Sequence, residues 1–233
     1  MSTRQSSGKV SIMKPKGILF DLDGTLLDTL PDIARAANRV LAEHGLPQHP
    51  VESVKAFIGS GAWWLLYRAL PEDRRDEPTV TALTASFKKV YGAIWQDQTR
   101  PFQGIANMLA EIGKRNIKLG VLSNKPDRFT RMCVDAFLPA HLFAHIQGEV
   151  DGLPKKPDPT PALQAAGALK AAPQDCCLVG DSEIDVATGL RAGMIAIGVL
   201  WGYRTREELL RAGAEALVQT PEELLELIVS EPP

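Results

Sequence analysis

Ile18-Leu19-Phe20-Asp21-Leu22-Asp23-Gly24-Thr25-Leu26-Leu27-Asp28 is the stretch from which the rest of the chain is read. Ile18, Leu19 and Phe20 form a short apolar run bounded by polar residues, the pattern of a buried strand in a parallel sheet. Asp21 ends that run, and in open α/β sheets ligands bind outside the carboxyl ends of the strands. Asp23 lies two residues on and projects to the same side while the chain stays extended. Adjacent carboxylates repel unless a cation holds them, and magnesium prefers carboxylate oxygen. A strand followed by a polar turn is the plainer reading, since Asp and Gly are common turn formers.

After Asp28 the apolar spacing changes. Leu30, Ile33, Ala34, Ala37, Val40 and Leu41 recur at helical intervals, Pro31 suits a first turn and Gly45 a stop. Residues 51–58, 63–70 and 80–95 read as further helices, with Gly59-Ser60-Gly61 between the first two. Arg100-Pro101 marks the return, because proline disfavours helix in the residue before it. Strands are then expected at 118–122, 143–147, 176–179, 194–200 and 216–218. They alternate with helices at 105–115, 128–137, 161–169, 184–192, 206–212 and 221–228. This order predicts an α/β fold, a doubly wound parallel sheet with an inserted all-helical domain. Residues 15–29 and 99–233 form the expected core domain, 30–98 the helical insertion, and 1–14 a disordered polar leader, with Met13 offering a second start.

Three more polar clusters follow strands. Ser123 and Asn124 come directly after Leu119-Gly120-Val121-Leu122; a hydroxyl and the next backbone N–H there can donate to a phosphate oxygen, although Ser-Asn after a strand is commonly a turn or cap. Lys155-Lys156-Pro157 reads on its own as a solvated loop. In Val179-Gly180-Asp181-Ser182-Glu183-Ile184-Asp185, a strand again runs into acids; helix capping explains one or two of these and three less well, and Glu183 reads as exposed.

With Asp21, Asp23, Gly24 and Thr25 as DxDGT, Ser123 at the second strand end, Lys156 before a proline and Gly180-Asp181-Ser182 followed by Asp185, the chain resembles the haloacid dehalogenase-like hydrolases from about Gly17 onward. The resemblance implies a Rossmann-like core, Asp21 as nucleophile and Asp23 as acid/base. It also implies magnesium (Mg2+) held by Asp21, the Asp23 backbone carbonyl and Asp181, with Asp185 behind. Thr25, Ser123, Asn124 and Lys156 would hold phosphoryl oxygens, and Lys155 would be a bystander. The helical insertion would be a lid. Residues 54–61 with Arg68, the Asn124-Lys125-Pro126 run and Trp201-Gly202-Tyr203 resemble phosphoglycolate phosphatases in particular. On that likeness Gly59, Ser60 and Gly61 would admit a small substrate and Arg68 would bind its carboxylate; an interhelical turn and a surface arginine are the plainer readings. The implied activity is hydrolysis of a small phosphate monoester, 2-phosphoglycolate before others, through an aspartyl-phosphate. Other esters (a sugar phosphate, a nucleotide, pyrophosphate), a β-phosphoglucomutase-like isomerase and a non-enzymatic phosphometabolite-binding module are the alternatives. Asp23 argues against a haloacid dehalogenase, which lacks that second aspartate.

Bulk properties bound the partners. Among 233 residues, 45% are hydrophobic and 23% charged, ordinary for a soluble globular protein. A net charge of −2 argues against broad binding to nucleic acid or an anionic membrane, and no apolar run reaches membrane-spanning length. Cys133, Cys176 and Cys177 make a poor disulfide framework and read as reduced thiols of a cytoplasmic protein, Cys133 as helical core before catalytic thiol. His44, His49, His141 and His145 lack metal-ligand spacing, and Trp63 and Trp64 read as lid packing. The expected partner is a small phosphorylated metabolite, with the protein a monomer or homodimer.

Overall fold

The computed structural model describes residues 14–229, so most of the expected leader lies outside the described residues. Strand β1 (Gly17–Phe20) is buried along its whole length and pairs in parallel on both edges, which is why its sequence is apolar without alternation. Its neighbours are β4 (Lys118–Pro126) and β6 (Cys176–Gly180). With β5 (Phe143–Glu149), β7 (Ile195–Val199) and β8 (Ala216–Val218) they form a parallel sheet ordered β5-β4-β1-β6-β7-β8. The chain winds outward from β1 to one edge, then returns to its other side. The strand order therefore reverses at β1, and the carboxyl ends of β1, β4 and β6 open on one crevice.

Helices α5 (Ile105–Gly113), α6 (Asp127–Phe137), α7 (Thr160–Leu169), α8 (Glu183–Arg191), α9 (Arg206–Ala212) and α10 (Pro221–Val229) alternate with these strands. The inserted part holds α1 (Leu30–Glu43), α2 (Val51–Lys55), α3 (Ala62–Ala69) and α4 (Glu77–Ile94). At its two crossings, β2 (Leu27–Asp28) and β3 (Arg100–Pro101) form a short antiparallel ladder that sequence spacing did not reveal. The fully buried Asp32 joins the same crossings: its Oδ2 accepts from the N–H groups of Gln98 and Thr99 and from the Thr99 hydroxyl, each at 2.9 Å.

Element boundaries differ from the expected ones for identifiable reasons. Strand β4 runs four residues past Leu122, because β5 continues beside it as far as Glu149 after a register shift. Helix α2 stops at Lys55 ahead of Gly59 and Gly61, whose φ angles of 122° and 89° break helix. Helix α4 starts at Glu77, earlier than its apolar face, since Asp76 accepts the Thr79 N–H at 2.9 Å and Pro78 occupies the first turn.

Candidate active site

Asp21 follows β1 directly, and its own N–H bonds to the Val179 carbonyl, which fixes it at the crevice floor. Gly24, at φ 86°, turns the chain back; a Cβ there would collide with the Asp181 carboxylate. Across the crevice, Asp181 follows β6, and Ser182 and Asp185 cap α8 reciprocally. Capping and a site contact are thus properties of one residue: Asp185 Oδ2 accepts from the Ser182 hydroxyl at 2.5 Å, and Oδ1 accepts from Lys156 Nζ at 2.6 Å.

Lys156 is 4% exposed and donates also to Asp21 Oδ1 and the Leu122 carbonyl, both at 2.8 Å. Burial works against its charge, yet Asp185 and Asp21 outweigh burial and raise its pKa. Burial pushes Asp21 up to about 7 despite the opposing pull of Lys156. Asp181 is held well above the carboxylate range by burial and then by its two acidic neighbours, against the Tyr203 N–H that donates to it at 2.7 Å. Asp21, Asp181 and Asp185 bring one oxygen each within 4.8 Å of one another, all three buried. One lysine does not balance three buried carboxylates. Such an all-oxygen, acid-rich set fits a hard divalent cation.

Asp23 faces elsewhere. Lys125 Nζ donates to both of its carboxylate oxygens, at 2.9 and 3.2 Å, and the Thr29 hydroxyl donates to Oδ1 at 2.8 Å. Lys125 lies 4.7 Å from the centre of the Tyr91 ring, and Asp23 raises its pKa well above the usual value although burial opposes this. Thr25 is fully buried, its hydroxyl 3.4 Å from Asp181 Oδ1 and its carbonyl accepting from the Trp201 indole at 2.9 Å. Ser123 and Asn124 line the crevice, and the Asn124 amide donates to the carbonyls of Gly59 and Lys156 at 3.0 and 2.9 Å. One side chain thereby ties the inserted Gly59 loop to the lysine loop.

The cavity lies between these strand ends and the inserted helices, and its space, open mouth included, is about 710 Å³. Asp21, Asp23 and Asp181 form the acidic floor; Ile33, Ile58, Leu65, Phe87, Tyr91 and Phe129 form an apolar wall. Gly59 and Gly61 line it, whereas the Ser60 hydroxyl accepts from Arg68 at 2.9 Å. Arg68 also donates to the Phe57 carbonyl at 2.9 Å and lines a separate surface pocket with Glu52 and Arg204. Arg204 reaches from the core to the carbonyls of Lys55 and Ile58, at 3.1 and 2.8 Å, and pairs with the exposed Glu183 at 3.1 Å.

Lys125, Thr29, Tyr203 and Arg204 were not among the residues singled out from sequence. Lys125 and Tyr203 had a signal, in the Asn124-Lys125-Pro126 and Trp201-Gly202-Tyr203 runs; Arg204 had none. Lys155 pairs with Glu149 at 2.5 Å and not with the carboxylates that Lys156 engages. Trp63 stacks on Tyr67, and Trp64, although 41% exposed, meets both rings edge-on at 4.9 and 5.2 Å, so the two tryptophans pack within the helical part. Cys133, Cys176 and Cys177 are buried free thiols, and burial raises Cys133 to about 11. Among the described residues no helix is long and apolar enough to cross a membrane.

Residues 18–199 match the family model of the haloacid dehalogenase-like hydrolases. A phosphoglycolate phosphatase of Xanthomonas campestris is 32% identical over 213 residues, which cover 91% of this chain and 96% of that protein. The phosphoglycolate phosphatase of Escherichia coli K12 is 31% identical over 229 residues, covering 90% and 91%. A crystal structure from Lactobacillus delbrueckii subsp. bulgaricus superposes with a TM-score of 0.88 at 32% identity, over 94% of this chain and 100% of that one. The chain belongs to the haloacid dehalogenase-like hydrolases. Within them it is phosphoglycolate phosphatase-like, and it is an enzyme of the phosphatase class.

Proposed function

We propose that this enzyme hydrolyses 2-phosphoglycolate to glycolate and phosphate, in the cytoplasm, with residues 30–98 acting as the lid. The observation that carries the reading is the joint presence of Asp21, Asp23 and Ser123 on one small cavity, with Lys156 buried against Asp21. Asp21 attacks phosphorus and forms an aspartyl-phosphate as the phosphorus–oxygen bond to glycolate breaks. Asp23 gives its proton to the departing oxygen, then takes one from the water that cleaves the acyl phosphate. Lys125 and Thr29 hold the Asp23 carboxylate in place at the cavity floor through these two transfers. Ser123, Lys156 and the backbone beside Thr25 and Asn124 hold the other phosphoryl oxygens. Asp21, the Asp23 carbonyl, Asp181 and Asp185 would hold Mg2+, which supplies charge neutralisation at the phosphoryl group. The apolar wall excludes water once the lid is down.

The test is phosphate release across phosphoglycolate, sugar phosphates, nucleoside monophosphates and pyrophosphate, with magnesium and with chelator. Magnesium-dependent release that favours phosphoglycolate is expected, and the Asp21→Asn variant should fall below about one per cent of that rate with its fold intact. Preference for another ester would discard the substrate reading. Retained activity in Asp21→Asn would discard the nucleophile.

A further inference from the structure

An anion entering this cavity meets a difficulty. The phosphoryl end belongs at the acidic floor, so the leaving group must extend toward Phe87, Tyr91, Leu65 and Phe129. That wall offers a carboxylate nothing in place of its water, and Asp21, Asp23 and Asp181 repel it from below. A substrate with an anionic leaving group therefore needs a counter-charge supplied from the cavity wall.

Three cations line the cavity: Lys88, Lys125 and Arg204. Lys125 is already neutralised by both oxygens of Asp23. Arg204 is engaged by Glu183 and two backbone carbonyls. Arg68 lies outside the lining, its guanidinium on the Phe57 carbonyl and the Ser60 hydroxyl. Lys88 alone of these makes no hydrogen bond or ion pair with any described residue. It sits on α4 between Phe87 and Tyr91, two aromatics buried in the apolar wall, and its own side chain is exposed at the mouth. A lysine has the flexible four-carbon stem and point charge suited to reach a small anion from the rim.

We infer that Lys88 binds the carboxylate of the leaving group and so determines specificity for phosphate esters that carry a second negative charge. The inference deepens the proposed function and rests on it for the identity of phosphoglycolate. It moves to α4 the role that the sequence resemblance implies for Arg68 on α3. Because Lys88 is on the inserted part, the counter-charge reaches the substrate only with α4 over the crevice.

Steady-state kinetics of the full chain test this, with phosphoglycolate against phenyl phosphate, whose leaving group is neutral. In Lys88→Met the ratio of kcat/KM for phosphoglycolate to that for phenyl phosphate should fall at least about tenfold, as loss of a charge-assisted contact implies, through a higher KM. Lys88→Arg should recover most of that ratio, and the rise of the phosphoglycolate KM with added salt should flatten in Lys88→Met. An unchanged ratio in Lys88→Met would overturn the inference. If the wild type hydrolyses phenyl phosphate and not phosphoglycolate, the substrate reading fails by itself. Lys88 is then judged by the same ratio with 3-phosphoglycerate, and an unchanged ratio there overturns it.

Discussion

Replacing Lys156 by methionine keeps the length of the side chain and removes the one cation among Asp21, Asp181 and Asp185. Lys156 is 4% exposed and its ammonium makes three bonds, at 2.8 Å to Asp21, 2.6 Å to Asp185 and 2.8 Å to the Leu122 carbonyl. Breaking a buried pair from one side costs about 3–5 kcal/mol, because the remaining charge keeps its desolvation penalty. In a chain of this size each kcal/mol shifts Tm by about 2–4 °C, so a fall of about 6–20 °C is expected. The size of the deficit also depends on pH. Burial raises Asp21 to about 7 in the folded wild type. A carboxyl with a raised folded pKa favours folding fully below its unfolded value of about 4 and loses that contribution as pH rises through its folded value. Removing Lys156 deletes an interaction that favours the ionised form, so the variant's deficit should be largest near pH 8 and shrink toward pH 5. Urea and thermal unfolding in chelator measure it without metal, and magnesium chloride added afterwards should recover part of the loss by mass action. A loss under about 1 kcal/mol at pH 8, or a deficit that grows on acidification, would refute the charge balance drawn for this site.

Asp32→Ala should cost about 1–3 kcal/mol, since the buried Thr99 N–H and the part-buried Gln98 N–H lose their acceptor and the Thr99 hydroxyl is left with the Trp95 carbonyl alone. Denaturant midpoints would show this, and a change within 0.5 kcal/mol would mean the crossings are held by the ladder alone. Tyr91→Phe removes a buried hydroxyl that lies beside Lys125 and Cys133 while keeping the ring beneath Lys125, so stability should stay within about 1 kcal/mol of the wild type. A larger fall in Tyr91→Phe, read from Tm, would show that the hydroxyl is bonded in solution.

Most of the sheet was legible because β1, β6, β7, β8 and the first half of β4 are short apolar runs, with β5 the polar exception, and the acids and hydroxyls stand where those runs end. Asp21 and Asp181 follow buried strands and Ser123 follows the apolar half of β4, which is why local reading brought them to one crevice. Position along the chain said less about partners. Arg68 and Arg204 look alike in sequence, yet Arg68 turns to its own loop and Arg204 bridges two parts of the molecule 146 positions apart. The Lys125–Asp23 pair spans 102 positions, and no spacing rule connects them. The β2–β3 ladder escaped because two residues on each side carry no periodicity. Strand β4 was cut short because polarity at Ser123 and Asn124 resembles a turn, although backbone pairing continues past them.

Arg204 and Asn124 hold the inserted loop only through the carbonyls of Lys55, Ile58 and Gly59. Every residue type offers a carbonyl, so this docking is indifferent to which side chains the loop carries. Residues 55–58 can therefore exchange their side chains, among them Ile58 on the cavity wall, while Gly59, at φ 122°, keeps the turn that the loop needs. A fold built this way can vary the cavity wall by point substitution in the loop without first having to rebuild the contact that holds it.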